Sequence, residues 1–233
     1  QDKNGPEFLT RYNLYPTVEF QAAPAPGYSS GQAMEAMLKA AGNAAGPDFG
    51  FEWTDESFQE VAAAGQTPVV LALAFICCFL VLAALYESLT SPAVVMLSVA
   101  IAVLGAVVGQ LGRGLTMDVF MQVGLVMLIG LAAKNAILIV QFAMARQAEG
   151  LSPAEAALEA GQQRFRPILM TSFAFILGVF PLVIASGAGA NSRHSLGTPV
   201  FFGMIAATAI GVFAIPGLYV LVQKINSFYK PKA

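Results

Sequence analysis

Charge is what this chain has least of. Asp, Glu, Lys and Arg together make up 11% of its 233 residues, against 57% hydrophobic. That balance excludes an ordinary soluble domain, in which about a quarter of residues are charged. A net charge of -2 suggests no nucleic-acid-binding surface. Histidine occurs once, as His194, in what reads as a short solvated loop, and no metal constellation is found. The only cysteines, Cys77 and Cys78, are adjacent in an apolar run. Neighbouring helical side chains diverge by about 100°, so a disulfide between them is excluded and both read as packing residues. Asp and Glu are missing from every long apolar segment.

What is present is a series of those segments. Five spans are expected, over residues 68–86, 93–111, 119–145, 167–188 and 199–223. Each is close to or above the roughly 20 residues that cross a bilayer as helix. The chain therefore divides into a water-soluble head over 1–66, a membrane region over 67–224 and a tail over 225–233. The fold class is a membrane all-α bundle of five transmembrane helices preceded by a partial α/β head. Arg146, Arg164 and Arg166 lie between the third and fourth spans and Lys224, Lys230 and Lys232 follow the fifth, whereas the opposite loops hold only Arg113 and Arg193. The positive-inside rule places the tail in the cytoplasm and the head outside it.

One residue stands out against the apolar background. Lys134 lies deep in the third span, within VFMQVGLVMLIGLAAKNAILIVQFAMA. Helical rise puts it about 18 Å from Arg146, near the centre of a ~30 Å hydrocarbon core and beyond the reach of snorkelling. An intramembrane lysine costs about 2.5–3.5 kcal/mol and marks either a functional site or a structural ion pair. With no acid in these spans, its counter-charge is expected from another helix. Gln141 and Gly130 fall near its stripe, and Asn135 sits about 100° away. In the fourth span Arg164 and Thr171 share a line with Gly178, provided the helix extends back through Arg166. Taken alone, Arg164 also reads as an interfacial arginine meeting lipid phosphate and Thr171 as a hydroxyl bonded back to its own helix.

The head alternates apolar and polar residues over 14–22, with Pro16 at what reads as an edge, and again from Phe49 to Thr54. Between them Ser29 and Gln32 have capping-box spacing, and Met34, Met37, Leu38 and Ala41 define one helical face. The result is a β-α-β unit too small to be stable alone, so it is expected to pack against further elements. Ser152, Pro153 and Glu155 start a short linker helix over 152–163, expected to lie along the cytoplasmic membrane face. Gly105 and Gly109 form a GxxxG for close packing, and Pro181 and Pro216 are expected to kink their helices.

The runs GLAAKNAILIVQFA, RFRPILMTSFAFILGVFPLVI and SGAGANSRHSLGT resemble the C-terminal part of the resistance-nodulation-division multidrug efflux pumps, hydrophobe/amphiphile branch. In the head, AAPAPGYSSGQAMEAM and FEWTDESFQE resemble that family's periplasmic porter region, and LAALYES resembles the end of its eighth transmembrane helix. The resemblance covers essentially the whole chain. It implies a homotrimeric bacterial inner-membrane proton/drug antiporter rather than an enzyme, driven by the proton motive force without a cofactor. It also implies a periplasmic adaptor, an outer-membrane channel, and hydrophobic or amphiphilic small-molecule cargo. Lys134 matches the family's lysine paired with two aspartates on helix four, and Arg164 and Thr171 match further members of the proton relay. Asn135 and Gln141 are supporting candidates. The aspartates and most drug-pocket residues are implied to lie in the N-terminal half. The rival readings are a heavy-metal exporter or protein-translocation accessory of the same superfamily, and a non-transporting scaffold.

Overall fold

A computed structural model describes residues 9–25, 28, 30–44, 46, 48–64 and 66–229. The chain separates into two compact units, Gln1–Phe51 and Glu52–Ala233.

The first unit holds a hairpin of β1 (Thr10–Tyr12) and β2 (Tyr15–Thr17), followed by helix α1 (Ser30–Ala44). The two strands are antiparallel, with Arg11 opposite Pro16. This corrects the expected β-α-β unit. Asn13 and Leu14 both have positive φ and turn the chain, so the strand expected over 14–22 is present only as β2, Tyr15–Thr17, folded back on β1. Phe49 to Thr54 finds no pairing strand among the described residues and stays irregular. The α1 helix is where the periodicity predicts it, with Met34, Met37 and Ala41 half-buried but Leu38 exposed. The Ser29 cap lies outside the described residues. Lys39 donates to Glu35 at 2.8 Å, and that hydrogen bond holds the Glu35 carboxyl below its ordinary range. No described residue of α1 is buried, and Leu14 and Phe20 stay exposed, so this unit builds no core of its own.

The second unit opens with α2 (Asp55–Ala64) and continues through α3 (Thr67–Tyr86), α4 (Ser91–Gly112), α5 (Val119–Ala148), α6 (Pro153–Val183) and α7 (Ala190–Ala206). A single π-helical stretch, Ala207–Gly211, joins α7 to α8 (Val212–Tyr229). Among the described residues, five helical stretches are long and apolar enough to cross a membrane: Pro68–Tyr86, Ser91–Gly112, Val119–Ala148, Pro153–Val183 and Ala190–Asn226.

Local sequence explains the helix starts. Asp118 caps α5 by accepting from Met121 N, and Pro92 and Pro153 occupy first turns, where a missing N–H leaves nothing unpaired. Ser152 and Glu155 form the reciprocal capping box that their spacing predicts. The helix they start, however, is not a separate linker. It runs unbroken through Arg166 and Pro167 into the fourth span, because a proline removes one backbone hydrogen bond and the rest of a long helix tolerates the loss. The fifth span likewise begins nine residues earlier than expected, at Ala190, after Gly187 and Gly189 turn the chain with positive φ. His194 accordingly lies on α7 and bonds the Ala185 carbonyl at 2.7 Å, rather than sitting in a solvated loop.

The core gathers α4 to α8. Val95, Val99, Ala102 and Ala106 make one stripe of α4 and meet Leu128, Ala132, Ala136, Ile139 and Ala143 of α5, with Val200 of α7 and Tyr219 of α8. Small residues let α7 approach closely. A Cβ on Gly105 would overlap Ala206, one on Gly109 would overlap Phe202, and one on Gly203 would overlap Leu128. The GxxxG of α4 is therefore a packing device, as its spacing predicts. By contrast α3 is largely exposed, burying Leu82 and Tyr86 near its end, where Tyr86 donates to the Ile137 carbonyl. Cys78 packs there while Cys77 is exposed.

Candidate functional site

The candidate residues lie along the α5–α6 pair, and three side-chain contacts fix how these helices face each other. Asn135 Nδ2 donates to Ser172 Oγ at 3.1 Å, with both residues buried. The Arg164 guanidinium lies 5.0 Å from the centre of the Phe142 ring. Arg146 pairs with Glu159 at 3.0 Å. Stepping seven and then four residues along α5 moves eight and then five residues back along α6, so the helices run antiparallel in even register.

That register decides which candidates can cooperate. Lys134 and Thr171 each precede one partner of the Asn135–Ser172 bond, so in this antiparallel pair they flank the bond about 3 Å apart along the axis, and both are exposed. Arg164 is level with Phe142, eight residues from Lys134, which is about 12 Å along the axis. Gln141 and Gly130 are exposed with Lys134, and together they form an open face of α5. Lys134 makes no ion pair among the described residues. The Thr171 hydroxyl donates to the Ile168 carbonyl of its own helix at 3.1 Å. Asn135, about 100° around α5 from Lys134, is buried against α6 and makes the interhelical bond.

A charged cluster closes the Arg146 end. Arg146 donates to Glu149 at 2.7 Å and to Glu159 at 3.0 Å, and its guanidinium lies 5.1 Å from the Phe142 ring centre. One aromatic ring thus serves two cations, an arrangement favoured by the ring quadrupole and opposed by the like charges. Arg146 has two carboxylates to offset that repulsion. The Arg164 Nε is buried without an acceptor. Beside this cluster Tyr219 donates to Gln147 Oε1 at 2.6 Å, tying α8 to the end of α5. At the other end of the bundle Arg113 donates to the buried Thr198 hydroxyl at 2.7 Å, linking the end of α4 to α7.

Sequence reasoning missed Ser172 and Phe142. Ser172 adjoins Thr171 but points about 100° away, toward α5, and only the α5–α6 register reveals it. Phe142 is one more aromatic in an apolar helix until Arg164 is seen above it.

A bundle of helices long and apolar enough to cross a membrane, with a lysine on an exposed face of one of them, defines a polytopic α-helical membrane protein. The sequence profile of the AcrB/AcrD/AcrF family matches residues 1–223, and the chain belongs to that family. It is 48% identical over 224 residues to the toluene efflux pump membrane transporter TtgB of Pseudomonas putida, covering 96% of this chain and 21% of that protein. The multidrug resistance protein MdtF of Escherichia coli is 46% identical over 223 residues, 95% of this chain and 21% of the relative. The solvent-resistant pump membrane transporter SrpB of Pseudomonas putida is 47% identical over the same length. The chain therefore spans 21% of the length of these relatives.

Proposed function

We propose that this chain is part of a proton-driven exporter of hydrophobic or amphiphilic compounds and carries the cationic side of its proton-coupling site. The observation that supports this reading is Lys134, exposed on an apolar helix with no ion-pair partner among the described residues. A cation there needs an acid to offset its desolvation, and the described spans hold none near it. A carboxylate from another helix of the same transporter would pair with Lys134 when ionised. When protonated it would release the ammonium toward other polar groups such as Thr171. Protonation thus changes a local charge pair, and the α5–α6 unit passes the change on as motion of packed helices. The relatives' names, which specify toluene, solvents and multiple drugs, support the cargo class.

The charge bias supports an orientation with the Arg146 end of α5 and the Lys224 end of α8 in the cytoplasm and the first unit outside it, and family likeness supports a bacterial inner membrane. By family likeness the protein works as a homotrimer with a periplasmic adaptor and an outer-membrane channel.

The test is proton movement. The full-length transporter, reconstituted in vesicles with an internal pH dye, is expected to exchange protons for an added amphiphilic dye. The Lys134→Ala variant is expected to assemble and to lose that exchange. Proton flux equal to wild type in the variant would refute the coupling role.

A further inference from the structure

Arg164 enters the proposed coupling site with an unusual deficit. Its Nε is buried without an acceptor, and no ion pair holds its guanidinium among the described residues. The contact that locates the group relative to α5 is the face of Phe142, 5.0 Å away. Phe142 is half-buried and packs against the core, so its ring is held in place. The same ring carries Arg146 at 5.1 Å, whose charge is met by Glu149 and Glu159. Those carboxylates reduce the repulsion that a second cation on the ring would otherwise feel.

We propose that Phe142 is the positioning residue for Arg164. Its π face orients the guanidinium across the α5–α6 contact, while the Arg146–Glu149–Glu159 cluster neutralises the neighbouring charge. This inference rests on the reading of Arg164 as part of proton coupling. A desolvated cation is held over a benzene face electrostatically, so bulk alone does not substitute for the ring. Leucine keeps much of the apolar volume and removes the quadrupole. Tyrosine keeps both.

The experiment measures proton-driven dye transport against pH in the full-length transporter, with trimer content and thermal unfolding as controls. Phe142→Leu is expected to lower transport roughly tenfold and to move the pH of half-maximal transport, with Phe142→Tyr close to wild type. In an Arg164→Ala background the further change Phe142→Leu is expected to add nothing. If Arg164→Ala lowers transport yet Phe142→Leu matches Phe142→Tyr, or takes its full tenfold from the rate that Arg164→Ala retains, the positioning role is overturned and the coupling reading stands. Normal transport by Arg164→Ala overturns the coupling role of Arg164 and the positioning role with it. Should Phe142→Leu fail to assemble, pentafluorophenylalanine at position 142 keeps the ring shape and reverses its quadrupole. The same tenfold loss is expected there, and full transport overturns the proposal.

Discussion

Asn135 and Ser172 are joined by a buried hydrogen bond of 3.1 Å that sets the register of α5 against α6. The bond matters because the residues beside it, Lys134 and Thr171, are brought within about 3 Å of one level by it. Buried interhelical hydrogen bonds in membrane bundles contribute about 0.5–1.5 kcal/mol, less than burial alone suggests, since separated helices also find partners. A double-mutant cycle of Asn135→Ala and Ser172→Ala, read by denaturant unfolding in detergent, is expected to show a coupling of about that size. Strictly additive losses would mean that the pair is not bonded in the folded protein.

The close approach of α4 and α7 yields a second expectation. Gly109 faces Phe202 and Gly105 faces Ala206, and neither position has room for a Cβ. Gly109→Leu should push the helices apart and destabilise the bundle by about 1–3 kcal/mol or more, seen as a lower unfolding temperature. Gly112→Ala, three residues from the end of the GxxxG contact and without a neighbour within 4 Å, should change it little. Equal effects at the two glycines would contradict the packing role.

Topology is tested by cysteine labelling in intact cells. An introduced cysteine at Ser152, at the exposed start of α6, should resist an impermeant reagent from outside, and one at Gly187 should react. Thr198 is a poor position for the same purpose, since it is buried beneath Arg113. Labelling at Ser152 from outside would reverse the orientation drawn from the Lys and Arg bias.

The membrane helices were legible in the sequence because a spanning helix answers to one requirement, a long apolar run, and each run here is uninterrupted. Their ends were less so. Pro167 reads as a boundary by local propensity, yet the capped segment before it and the span after it continue as one helix. The head failed for a different reason. Alternation signals a strand only where another strand pairs with it, and pairing is a tertiary fact: within 14–22 only Tyr15–Thr17 finds a partner, in β1, and Phe49 to Thr54 finds none among the described residues. Within the site, helical phase placed Lys134, Gln141 and Gly130 on one face. Phase within a helix cannot show what lies opposite, which is why Ser172 and Phe142 emerged only with the α5–α6 register.

Arg164, Thr171 and Lys134 differ in how the fold presents them, and their substitution effects should differ accordingly. Thr171 is within about 3 Å of the level of Lys134 but spends its hydroxyl on the Ile168 carbonyl, whereas Arg164 stands about 12 Å further along, over Phe142. If all three serve one protonation step, they share its free energy, and losses do not add. Thr171→Ala made on top of a partially active change at Lys134 should then lower transport far less than it does in the wild-type background. An arginine that merely meets lipid phosphate would accept lysine in its place. A planar guanidinium used for its fork and its stacking on Phe142 would not, so Arg164→Lys is expected to lose most proton-driven transport while keeping trimer content. Transport rates for Arg164→Lys, Thr171→Ala and the doubles with Lys134 decide the matter. Additive losses together with a silent Arg164→Lys would leave Lys134 as the sole coupling residue of this chain.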